Sequence, residues 1–157
     1  MTFDRAEILR RIDSVCGVIE QHAGWAEQHC RLHDVAFQAL VEAQVPRLFL
    51  PARLGGLEVD PVTCALVCEK LAAADTAAAW HVMVFNAARL MAAQWPEALV
   101  EQLWGSDPDT LVAASGHSPL QAVARGDGYV ISGRQRFVSG CDHATWLLSP
   151  VMIDDTP

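Results

Sequence analysis

The hydrophobic period of this chain changes near residue 105, and that change limits the folds open to it. Before it, apolar residues recur every three or four positions, as they do on one face of a helix. After Asp107-Pro108-Asp109 the pattern becomes strand-like, most clearly in Gly126 to Ser149, GDGYVISGRQRFVSGCDHATWLLS. Gly126-Asp127-Gly128 is a tight-turn signal, and Tyr129-Val130-Ile131 after it is β-prone. A sheet begun this late in 157 residues has little sequence left to complete it. The expected fold is α+β: an N-terminal all-α helical domain over residues 1–109, then an incomplete antiparallel β-domain over residues 110–157.

Five helices are expected. Asp4 and Glu7 resemble a capping box, and Ile8, Ile12, Val15 and Ile19 form one stripe behind them. A second helix covers Leu32 to Ala43, with Leu32, Val35, Ala36, Ala39, Leu40 and Ala43 inward and Pro46 ending it. Leu48-Phe49-Leu50-Pro51 before Leu54-Gly55-Gly56 reads as an ordered loop with an apolar anchor. Asp60-Pro61 is an N-cap with proline at the first helical position, opening a third helix that runs to about Ala74. Asp75 caps a fourth, Thr76 to Gln94, apolar almost all round and therefore expected at the centre. Pro96 opens the fifth and Gly105 closes it. Strands are expected over Leu111 to Ser115, Gln121 to Arg125, Tyr129 to Phe137 and Thr145 to Met152.

Charge narrows the function. The formal net charge is −8 and Lys70 is the only lysine, which argues against a nucleic-acid surface or an anionic membrane as partner. Thr76 to Ala88 is the longest uncharged helical stretch, short of the roughly 20 residues a span requires. The N-terminus is charged, without a secretory apolar stretch, and the five cysteines are odd in number. A cytoplasmic protein with free thiols is expected.

Motifs for chemistry are sparse. His29 and His33, beside Cys30, have helical metal-ligand spacing but lack a third ligand, so a solvated histidine face is the preferred reading. Cys64 and Cys68 read as small core residues, and no metal is expected. No G-x-S-x-G elbow, P-loop or G-x-G-x-x-G is present. Phe137-Val138-Ser139-Gly140 offers an aromatic face, a hydroxyl and a bare backbone within four residues, all of which a flavin ring can use. On a strand, Phe137 and Ser139 would share a side. A turn is the bland alternative.

Three stretches resemble the acyl-CoA dehydrogenase superfamily. VPRLFLPARLGGLEVDP (Val45 to Pro61) is similar to its P-x-x-x-G-G loop, and CEKLAAADTAAAW (Cys68 to Trp80) to its E-x-L-A-x-x-D-x-S helix pair. GYVISGRQRFVSGCDHATWLL (Gly128 to Leu148) is similar to its G-G-Y-x-L-x-G-x-K-x-W/F-x-S/T strands. Asp142-His143-Ala144-Thr145-Trp146 after Ser139-Gly140, and Ala113 to Pro119 in place of a Thr-Glu-Pro strand, favour its flavin-dependent monooxygenase branch.

The resemblance implies a flavin, FAD or FMN, supplied reduced by a separate reductase, with O₂ and a small aromatic or heteroatom substrate. It places Ser115, Phe137, Val138 and Ser139 against the flavin, Trp80 and Asn86 along the substrate pocket, and His117 as a proton-handling group. It also implies homo-oligomer formation at full length and a C-terminal four-helix bundle, which these residues do not contain, so the chain is expected to be a fragment or a truncated relative. Two alternatives stay open: an acyl-CoA dehydrogenase acting on an acyl thioester, and a truncated non-catalytic chain that binds no flavin.

Overall fold

A computed structural model describes residues 3–117 and 119–154. Ser118, within the Ala113 to Pro119 stretch, lies outside the described residues. Five α-helices come first: α1 (Arg5–His29), α2 (Asp34–Glu42), α3 (Pro61–Ala74), α4 (Thr76–Met91) and α5 (Glu97–Trp104). Their starts follow the caps legible in the sequence. Asp4 accepts from the Ala6 and Glu7 backbone N–H groups, Asp60 from Thr63 N–H and Asp75 from Ala77 N–H. The reciprocal half of the first box is replaced, because the Glu7 carboxylate pairs with Arg10 and Arg11.

Helices α1, α3 and α4 pack through Ile8, Ile12 and Ile19 against Val67, Leu71, Ala78 and Val82. Full burial of each such side chain contributes about 1.5–3 kcal/mol of transfer free energy. The α2 stripe is narrower than expected: Leu32, Ala36 and Leu40 are buried, but Val35 is 52% exposed. The helix begins at Asp34 rather than Leu32, with His33 as its cap, and that start turns Val35 outward. The 45–59 loop is ordered as expected, with Val45, Leu48 and Leu50 fully buried.

A second apolar cluster joins Leu50, Leu54, Ala88, Val100, Leu103 and Trp104 to Val112, the start of the strands. Charge ties the same junction. Arg89 is buried and donates to the carbonyls of Phe85, Pro108 and Thr110. Burial lowers its pKa to about 10, opposed by nearby Asp109. Arg47 holds the Asp109 carboxylate, donating from Nε at 2.5 Å.

The strands are β1 (Val112–Ala114), β2 (Leu120–Arg125), β3 (Gly128–Ser132), β4 (Trp146–Leu148) and β5 (Val151–Asp154). The helical part followed by a small β part agrees with the expected α+β fold. The pairing is mixed, however. β2 and β3 form the antiparallel hairpin, but β1 pairs with β4 in parallel (Val112 opposite Trp146), as does β2 with β5 (Leu120 opposite Val151). Three expected strands are also shorter, the first, Leu111 to Ser115, being trimmed to Val112–Ala114. Thr145 to Met152 is divided at Ser149-Pro150, where a residue without a backbone N–H interrupts the ladder. Tyr129 to Phe137 stops at Ser132, because Gly133 adopts a φ of 135° against the Leu120 side chain.

The fourth helix is central on one side only. Val82, Phe85, Asn86 and Arg89 face inward, whereas Trp80, Met83, Leu90 and Met91 are exposed. Trp80, Met83, Ala87 and Leu90 are spaced three and four apart, so they form one apolar stripe. Among the described residues no helix is long and apolar enough to cross a membrane.

Candidate functional site

The site assembles where α4 meets the loop after β3. Residues 133–138 leave the sheet, and Phe137 takes a left-handed φ of 57°. The shared strand face expected for Phe137 and Ser139 is therefore absent, because the backbone is not extended there. A turn follows, closed by hydrogen bonds from Cys141 N–H to the Val138 carbonyl and from His143 N–H to the Gly140 carbonyl, both 3.1 Å. Val138 sits half-buried at its start. Gly140 has a φ of 81°, and a Cβ there would lie 2.4 Å from Phe85 Cζ. Its glycine is required by close packing on α4, a different reason from the cofactor approach the sequence suggested.

Ser139 and Trp80 meet. The Trp80 indole N–H donates to Ser139 Oγ at 3.0 Å, although 59 residues separate them. Trp80 remains 52% exposed, and among the described residues no acceptor takes the Ser139 hydroxyl proton. A hydroxyl that accepts from an indole keeps its own O–H to donate elsewhere. Phe137 is 76% exposed, and His117 meets its ring edge-on, with centroids 5.4 Å apart.

Ser115 is placed differently from the expectation. It is 5% exposed, and its Oγ donates to the Arg136 carbonyl at 2.8 Å and receives the His117 N–H at 3.4 Å. Its hydroxyl anchors the 133–138 segment rather than facing outward. A cavity of about 440 Å³ opens beside it, lined by Met91, Trp95, Gly116 and Leu148 among others. A second, of about 630 Å³, reaches His81, the neighbour of Trp80.

Asn86 lies outside this group. It is wholly buried, with Oδ1 accepting from Phe49 N–H at 3.1 Å and Nδ2 donating to the Val45 and Val82 carbonyls at 3.0 and 2.9 Å. Its side chain pins the 45–49 loop to α4, so the expected place along a substrate pocket does not hold geometrically.

The two histidines with metal-like spacing both pack on Trp25, His33 edge-on to its ring at 4.7 Å. His29 stacks on Trp25, whereas His33 caps α2 through Nδ1, which accepts from Val35 N–H at 3.1 Å. Among the described residues no group of three potential ligands could hold a metal ion. Cys64 is in the core beside Cys68, and their mutual hydrogen bond, with burial, pushes the Cys64 thiol up.

Sequence reasoning met His143 only as a neighbour of Ser139-Gly140, a dyad without an orienting acid, and gave it no role of its own. It stacks on Phe37 with centroids 3.9 Å apart and planes 6° from parallel, and burial lowers its pKa. The only signal was its place four residues after Ser139.

Comparison with known proteins gives a consistent set. A family described as acyl-CoA dehydrogenase, N-terminal domain, matches residues 13–104. The chain is 30% identical over 152 residues to the flavin-dependent monooxygenase oxygenase subunit HsaA of Rhodococcus jostii, covering 95% of this chain and 40% of that protein. It is 30% identical over 142 residues to the oxygenase component of p-hydroxyphenylacetate 3-hydroxylase from Acinetobacter baumannii, covering 90% and 33%. The structure of XiaF from Streptomyces sp. in complex with FADH2 and glycerol superposes with a TM-score of 0.87 at 26% identity, over 91% of this chain and 36% of that one. The crystal structure of 3-HSA hydroxylase from Rhodococcus sp. RHA1 gives 0.85 at 29% identity, over 96% and 40%. The chain thus spans about 40% of the length of the first of these relatives.

Proposed function

Because the chain belongs to the acyl-CoA dehydrogenase family through its N-terminal domain, we propose that it forms part of the oxygenase component of a flavin-dependent monooxygenase. The substrate is a small aromatic molecule, and a separate reductase supplies the flavin in its reduced form. The relatives named above support oxygenation over dehydrogenation of an acyl thioester. Reduced flavin supplies the electrons that activate O₂.

The observation that carries the reading is the hydrogen bond from Trp80 to Ser139. It fixes the Ser139 oxygen and leaves its proton for an acceptor outside the protein, such as a ring nitrogen or carbonyl of a flavin. The exposed Phe137 ring supplies an apolar surface beside it, and Val138 flanks the same turn. These groups fit a flat, partly polar ring. Ser115 contributes indirectly, by holding Arg136. His117, against Phe137, is the proposed proton-handling group. The apolar stripe Trp80, Met83 and Leu90 suits an aromatic substrate or a neighbouring subunit of a homo-oligomer. Residues 1–109 form the helical unit and 110–157 open the β unit in this proposal, and the free thiols suit a reducing cytoplasm.

The test joins this chain to the remainder of the Rhodococcus jostii oxygenase and titrates it anaerobically with FADH2 and FMNH2. The chimera is expected to bind reduced flavin, and the 157-residue chain alone to bind it weakly or not at all. In the chimera, Ser139→Ala removes one donor and leaves the apolar surface, so affinity falls by about 0.5–1.5 kcal/mol, roughly 2- to 12-fold. A chimera that folds and binds neither flavin, or whose Ser139→Ala variant binds unchanged, refutes the proposal.

A further inference from the structure

The turn that carries Ser139 is held to the helices at three points. Trp80 donates to Ser139, Gly140 packs on Phe85, and His143 stacks on Phe37 of α2. Phe37 and Phe85 meet at 6.2 Å in a T-shaped contact, so the points belong to one aromatic unit. His143 differs from the other two because it can change charge. Its Nε2 is buried without a hydrogen-bond partner among the described residues, whereas the ring has a backbone hydrogen bond to Leu32.

We propose that His143 is a positioning residue: neutral, it clamps the Ser139 turn onto α2, and its protonation releases that turn and breaks the Trp80–Ser139 hydrogen bond. The reason is local. The proton taken from solvent goes to Nε2, where it creates a buried N–H⁺ without an acceptor. The charged groups around the ring work in both directions. Asp34 of α2 favours the cation, as does the hydrogen bond to the Leu32 backbone, whereas Arg31, before α2, and His81 of α4 oppose it. Burial is the largest influence and also opposes it. The folded-state pKa is therefore depressed below that of the unfolded chain. The clamp's contribution to stability is complete above the unfolded value of about 6.5 and is lost as pH falls through the lower folded value.

The consequence for flavin rests on the monooxygenase reading, whereas the release of the turn does not, and the test separates them. In the 157-residue chain the Trp80 indole N–H resonance, assigned with Trp80→Phe, is followed by NMR from pH 8 to 5 together with the His143 ring protons. The two are expected to move with one midpoint, below the usual histidine value. In His143→Phe, which keeps the stack and cannot titrate, the indole resonance should hold still. In His81→Gln it should move as in the parent, which excludes the histidine beside Trp80. A resonance that moves equally in His143→Phe, or that stays fixed while His143 protonates, overturns the proposal. In the chimera, reduced-flavin affinity should fall several-fold between pH 7.5 and 5.5 in the parent and stay level in His143→Phe. A chimera that binds no flavin refutes the functional reading alone, because the indole titration still decides the role of His143.

Discussion

Replacing Asn86 with alanine separates a structural amide from a substrate-binding one. The side chain makes three hydrogen bonds in a site with no solvent access. The Val82 carbonyl lies within α4 and keeps its helical partner four residues on. The Phe49 N–H and the Val45 carbonyl lose the partner that Asn86 gave them. A buried backbone group left unsatisfied costs about 1–3 kcal/mol, and partial relaxation of the loop brings the pair to about 2–4 kcal/mol in total. For a chain of this size, about 2–4 °C is lost per kcal/mol, so the melting temperature should fall by roughly 5–15 °C. Calorimetry and urea unfolding measure both, with the slope in denaturant unchanged. Asn86→Asp should be worse than Asn86→Ala. It keeps the acceptor for Phe49 N–H but sets a charge against two carbonyls in a dry site. An unchanged melting temperature for Asn86→Ala, or an Asp variant more stable than it, refutes this reasoning.

Two further substitutions test the packing behind the site. Gly140→Ala needs a positive φ and would place a Cβ 2.4 Å from Phe85 Cζ, so it should cost about 1–3 kcal/mol in urea unfolding and shift the Trp80 indole resonance; a variant of unchanged stability contradicts the close approach. Val82→Asp buries an unpaired charge and should cost on the order of 3–5 kcal/mol, whereas the same change at half-buried Val84 should cost clearly less; equal melting temperatures would show that α4 is not buried on the Val82 side.

The sequence by itself determined the helices, their order and the change to strands. Capping and proline rules act over three or four residues, so Asp4, Asp60 with Pro61, and Asp75 mark helix starts without reference to the rest of the chain. The Gly126-Asp127-Gly128 turn marked the β2–β3 hairpin for the same local reason. The tertiary structure decided everything that depends on residues far apart. Strand direction is one case, because the parallel pairings of β1 with β4 and β2 with β5 leave no local mark. Which face of α4 is covered is another: an apolar helix shows no preferred side until its neighbours are placed. The candidate site is the third. Ser139 was legible as a hydroxyl beside a glycine, but the alternation rule that paired it with Phe137 failed where left-handed backbone replaced the strand. Its partner Trp80 lies 59 residues away, and the packing of the turn on the helices, Gly140 against Phe85 and His143 against Phe37, brings the two together.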